Sequence, residues 1–125
     1  MRMRSMLAAM AVAGLTATAA MAAVMADEGQ YAQPLTTMLS EAAAGTCSAE
    51  LMAEGLKTAC GQQIANLAPG LSSLGAVQTV ALIKSETTAG GVLETYLVTF
   101  AGGQTMTWVI GGLHDGKFNS LYSAG

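Results

Sequence analysis

Residues 92–122 read VLETYLVTFAGGQTMTWVIGGLHDGKFNSLY. Apolar and polar side chains alternate with a period of two over 92–100, again over 104–113, and again over 117–122. That period belongs to β-strands, whose successive side chains point to opposite faces. The separators are turn residues, Gly102-Gly103 and Asp115-Gly116. Asp-Gly between apolar runs is a strong hairpin signal, because both central positions of a type I′ turn need positive φ. A further run rich in Val, Leu and Ile lies upstream at 77–85, set off by turn residues at 87–91. Four strands joined by short turns predict an antiparallel meander.

The two tightest turns also predict a register. Centring one on Gly102-Gly103 pairs Phe100 with Thr105, Val98 with Thr107 and Tyr96 with Val109. Centring the other on Asp115-Gly116 pairs Leu113 with Phe118 and Val109 with Tyr122. One face then carries Tyr96, Val98, Phe100, Val109, Leu113, Phe118 and Tyr122. The other carries Leu93, Leu97, Met106, Trp108, Ile110 and Leu121. Both faces read as apolar, whereas a one-sided sheet shows a polar solvent face. Helices are expected on one face, and a second copy of the chain, a protein partner or a small apolar ligand on the other. The alternative is a sheet curled strongly enough around its helices to hide both. Tyr96, Phe100, Trp108 and Tyr122 are the aromatic candidates for the ligand or partner surface, with ordinary core packing the favoured reading of Trp108.

Before Gly75 the period is helical. Pro34 suits a helix start, and Leu35, Met38, Leu39 and Ala42 follow at spacings of three and four. Gly45 is placed to end that helix. Ser48 reads as the N-cap of a second segment, with Glu50 in its first turn. Leu51, Met52, Leu56, Cys60, Ile64 and Leu67 form its apolar stripe, and Pro69-Gly70 is a stop signal. Two or three N-terminal helices followed by four antiparallel strands predict an α+β domain.

Cys47 and Cys60 are the only cysteines. A Cys47–Cys60 disulfide is expected, the alternative being two free thiols. In one straight helix the two Cα atoms would lie about 20 Å apart at about 1.5 Å per residue. A disulfide needs them within about 7 Å. The chain must therefore turn back between them, and Gly55 is the natural place.

Residues 1–26 have targeting character. Arg2 and Arg4 precede an uncharged run at 6–22, and Val24-Met25-Ala26 puts small residues just before Asp27-Glu28. This is the pattern of a secretory signal peptide cleaved after Ala26, with Ala20-Met21-Ala22 as a second cleavage point. An N-terminal membrane anchor is the alternative. The expected location is periplasmic or secreted, where disulfides persist, and residues 27–125 are expected to form one small domain. That part keeps Lys57, Lys84 and Lys117 against all eight acidic residues. Such a balance lacks the basic footprint of a nucleic-acid binder and has little attraction for anionic lipid.

From residue 71 onward the chain carries a line of residues that can be matched to a family. It runs Leu74-Gly75-x-Val77, then Tyr96-x-Val98-x-Phe100-x-x-Gly103, then Thr107-Trp108-x-Ile110, then Asp115-Gly116-Lys117-x-x-x-Leu121. This resembles the small NTF2-like domains of exported bacterial proteins, some of them attached to serine hydrolases of the β-lactamase class. The resemblance implies a cone of helices on a curved antiparallel sheet, with a pocket between helices and sheet. It further implies an outer sheet face that often mediates dimerisation.

Candidate chemistry is sparse. Glu94 lies on the Tyr96–Phe100 face of its strand; its place near the strand start favours a solvated edge position, and the alternative, a buried carboxyl with a raised pKa, is a weak candidate base. His114-Asp115 is the only adjacent acid–base pair and falls at a hairpin tip, where turn chemistry is expected. No G-x-S-x-G elbow is present, and one histidine cannot assemble a transition-metal site. No cofactor is expected. The residues favour a non-enzymatic exported binding or interaction module, expected to form a homodimer through the sheet. The alternatives are an NTF2-like enzyme acting on a small apolar substrate, with Glu94 as base, and an accessory subunit of an exported hydrolase.

Overall fold

A computed structural model describes residues 29–125, so the expected signal peptide lies outside the described residues. The order is α1 (Ala32–Ala43), α2 (Glu54–Leu74), β1 (Val77–Thr88), β2 (Gly91–Phe100), β3 (Thr105–His114) and β4 (Lys117–Ser123). The strands form one antiparallel sheet in the order β1-β2-β3-β4. The α+β class and the four-stranded meander are thus as expected, with two helices among the described residues.

Helix α1 buries Ala32, Leu35, Met38, Leu39 and Ala42, one stripe at spacings of three and four. It ends as expected: Gly45 has φ +90°, its N–H donates to Ala42 O, and the Thr46 N–H donates to Glu41 O. The next segment departs from expectation. Ser48 accepts from the Leu51 N–H at 3.2 Å, but it caps a single turn. The chain then runs extended through Met52, which forms a parallel bridge to Phe118 on β4. Helix α2 starts only at Glu54, so Gly55 lies inside its first turn and the reversal between the cysteines falls at residues 48–53.

Pro69-Gly70 does not stop α2, which continues to Leu74. A proline inside a helix forfeits one backbone hydrogen bond. Leu71, the residue directly after Pro69-Gly70, is 3% exposed and joins the core. Burial of that side chain offsets the missing bond, and tertiary packing overrides the local signal.

The Asp115-Gly116 turn joins His114 directly to Lys117, with φ +52° and +79° at its two residues. Its register is the expected one, pairing Leu113 with Phe118 and Val109 with Tyr122. The β2–β3 register is not. Tyr96 pairs with Trp108, and Val98 pairs with Met106. The connection is a three-residue loop, Ala101-Gly102-Gly103, closed by Gly103 N–H to Phe100 O at 2.8 Å and Phe100 N–H to Gln104 O at 2.9 Å. Gly103 at φ +93° supplies the left-handed residue that such a loop needs.

That one-residue difference moves every β3 side chain to the other face relative to β2. Tyr96, Val98, Phe100, Trp108 and Ile110 now lie together in the core under the helices. The opposite face of β2 and β3 carries Leu93, Leu97 and Val109 interleaved with Thr95, Thr99, Thr105 and Thr107. It is a mixed surface, not the wholly apolar one expected.

Candidate functional site

The start of α1 has no side-chain cap of its own. The first N–H groups of a helix need acceptors, and its N-terminus favours negative charge. Glu94 supplies both from β2. Its Oε1 accepts the Gln30 N–H at 3.1 Å and the Tyr31 N–H at 3.0 Å. The Tyr96 hydroxyl donates to the same oxygen in a close contact. The Tyr31 N–H also reaches the Tyr96 hydroxyl oxygen at 3.1 Å. Glu94 is only 2% exposed, so the favoured expectation of a solvated edge position is corrected. Gly29, at φ +95°, closes the group from the chain side, where any Cβ would run into the Tyr96 hydroxyl and the Glu94 carboxyl.

This arrangement positions α1 over the sheet. Its three donors belong to the chain itself and hold the buried carboxyl against the start of α1. Burial, and then the hydrogen bond to Glu94, push the Tyr96 hydroxyl well above the ordinary tyrosine range. Since the folded value lies above the unfolded one, the unfolded chain loses this proton first as pH rises. The contribution of Tyr96 is therefore complete below about pH 10, the ordinary tyrosine value, and is lost at higher pH. Thermal melts should show stability falling above about pH 10, and Tyr96→Phe should remove that component of the loss.

Of the four aromatic candidates, the structure buries Tyr96, Phe100 and Trp108 in the core and leaves Tyr122 exposed at 52%. As packed, the first three cannot form an outer surface. Tyr96 and Phe100 lie under the helices, whereas Trp108 and Tyr122 both border a cleft beside α2. His114 is exposed beside the hairpin turn, as turn chemistry requires.

A cleft does open between α2 and strands β3 and β4. Apart from Leu71, the stripe of α2 is only half-buried: Leu56, Cys60, Ile64 and Leu67 pack against the core without being enclosed by it. The space beside it measures about 370 Å³ and is walled by Met52, Leu56, Leu67, Trp108 and Leu121, with Cys60 among its borders. The Cys47–Cys60 disulfide, with Cα atoms 6.0 Å apart, ties this part of α2 to the loop after α1. Comparison with known protein families, curated proteins and solved structures finds no match. The geometry therefore carries the functional argument.

Within the cleft, Trp108 is 4% exposed, and its Nε1 is a buried donor with no acceptor. Buried indole N–H groups are normally paired. Ala59, Gln63 and Ser123 also border the space and drew no attention in the sequence. Only their helical and strand spacing relative to Leu56, Leu67 and Leu121 could have pointed to them. Among the described residues no group of His, Cys, Asp and Glu could hold a metal ion. Among them, too, no helix is long and apolar enough to cross a membrane.

Proposed function

We propose that the chain is a non-enzymatic exported binding module, a small NTF2-like cone that holds an apolar molecule between α2 and the sheet. The observation that carries this reading is the cleft of about 370 Å³ with its apolar wall. Its size falls in the range of small-molecule sites, which are mostly apolar with a few placed polar groups. The disulfide suits an oxidising compartment and so supports export. Glu94 fits a structural role better than that of a base, because its carboxyl is already engaged by three donors of the chain. A second copy of the chain is assigned to the outer sheet face, where Leu97 and Tyr122 are exposed at 38% and 52%.

Trp108→Ala is a poor test, since truncating a buried aromatic costs about 3–5 kcal/mol by itself. Ala59 is exposed at the mouth of the cleft, so Ala59→Phe narrows it without touching the core. Native mass spectrometry of the protein purified from the exported fraction should find a small-molecule adduct on the parent and none on Ala59→Phe, at equal melting temperature. The same spectra report a dimer. An adduct retained unchanged by Ala59→Phe, or absent from both proteins, would overturn the cleft as the site.

A further inference from the structure

We propose that the free edge of β1 pairs antiparallel with the same edge of a second copy of the chain. The two-fold axis lies at Ser85, so that Lys84 of each copy faces Glu86 of the other. This contact is separate from the cleft and from the outer sheet face, and it depends on neither. The two edges of the sheet differ. On the β4 edge, Phe118 already bonds to Leu51 O and to the Ala53 N–H, and Lys117 Nζ reaches Ala49 O at 2.7 Å. On the β1 edge, no further strand pairs among the described residues, and residues 83–90 are all exposed. A long free edge is a template for another strand, and β1 has 12 residues and no proline.

The direction of its backbone groups follows from the neighbouring hairpin. The Phe100 N–H donates to Gln104 O and the Phe100 carbonyl accepts from Gly103, so Phe100 faces β3. Residues of a strand alternate in this respect, which turns Thr95, Leu93 and Gly91 toward β1. Their partners Lys84, Glu86 and Thr88 therefore bond inward. Ser85 and Thr87, between them, direct N–H and C=O out at the edge.

The charges select the register. The side chains of Lys84 and Glu86 flank Ser85, are 58% and 55% exposed, and lie 3.5 Å apart. With Ser85 opposite the partner's Ser85, each lysine lies across from a glutamate at non-hydrogen-bonded positions, where side chains come closest. An axis at Lys84 would set lysine against lysine, and one at Glu86 glutamate against glutamate, both destabilising. A lysine and a bulge, here between Leu82 and Lys84, ordinarily discourage edge pairing. The glutamate two residues on makes the same lysine selective for the chain's own copy. Ile83, 54% exposed, then lies across from the partner's Thr87.

Lys84→Glu and Glu86→Lys test this at exposed positions. An exposed ion pair contributes little to the fold, so melting temperatures should stay equal. In either variant two opposite-charge pairs become like-charge pairs, and sedimentation equilibrium should show edge association weakened about tenfold. Mixing the two variants should restore it, because two glutamates of one chain then face two lysines of the other. The double swap, Lys84→Glu with Glu86→Lys, should associate like the parent. Hydrogen exchange at the Ser85 and Thr87 amides of the parent should slow as concentration rises. A dimer that leaves both amides exchanging fast belongs to the outer sheet face and overturns the edge contact. A parent that stays monomeric, or a mixture no more associated than its components, overturns it too. The cleft is unaffected by any of these outcomes, since its adduct is read separately.

Discussion

Glu94→Ala should destabilise the fold about as much as truncating a buried core aromatic. It removes the shared acceptor, leaving the Gln30 N–H and the Tyr96 hydroxyl unpaired and the Tyr31 N–H with the Tyr96 oxygen alone. Each unsatisfied donor costs about 1–3 kcal/mol, so a loss of about 4 kcal/mol is expected even with partial relaxation. Against a total of about 5–15 kcal/mol for ordinary domains, that leaves little folded protein to spare. Urea denaturation should show a midpoint shifted far down at nearly constant slope. Glu94→Gln should cost less, since it keeps an oxygen for the backbone donors while turning an NH₂ toward the others. Hydrogen exchange should locate the damage: the first turn of α1 opens first, and the β2–β3 ladder keeps its protection. Loss of under about 1 kcal/mol in Glu94→Ala would mean that α1 finds other acceptors. The carboxyl would then be released from its structural role, and its candidacy as a base would return.

The reach of the sequence follows from which interactions are local. The strands were legible because a period of two needs only neighbouring residues, and Asp115-Gly116 announced its own turn. The β2–β3 register was not, because Ala101-Gly102-Gly103-Gln104 suits a two-residue and a three-residue loop almost equally. That ambiguity decided where Trp108 points, and with it the candidate site. The extension of α2 past Pro69 depended on Leu71 finding the core, a fact about distant residues. The capping of α1 was hidden more deeply. Its donors are backbone N–H groups 63 and 64 residues from Glu94, and backbone groups leave no trace in a residue pattern. Glu94 itself could be singled out as an inward-facing carboxyl. Its partners could not.

The disulfide gives the second large effect, and its mechanism makes the test sharper than a simple loss of stability. Closing a loop of about 14 residues removes conformations from the unfolded chain, a contribution of about 3 kcal/mol in the chain-entropy account. Replacing both Cys47 and Cys60 by serine should therefore lower stability by about 3 kcal/mol, or the melting temperature by more than about 10 °C in a domain this size. If the entropic account holds, the denaturant slope should rise, because the freed unfolded chain exposes more surface. The native sheet should survive unchanged, since neither cysteine belongs to a strand. Local consequences are expected as well. Residues 48–53 lie inside the loop and carry the Met52–Phe118 bridge, in which the Phe118 N–H donates to Leu51 O at 2.7 Å and the Ala53 N–H to Phe118 O at 2.8 Å. These bonds should exchange faster in the serine variant. Cys60 also borders the cleft, so the small-molecule adduct should weaken in the same variant while the melt of the sheet remains cooperative. A stability loss below about 1 kcal/mol with an unchanged slope would show that the loop is already constrained by that bridge, and that the disulfide adds little to it.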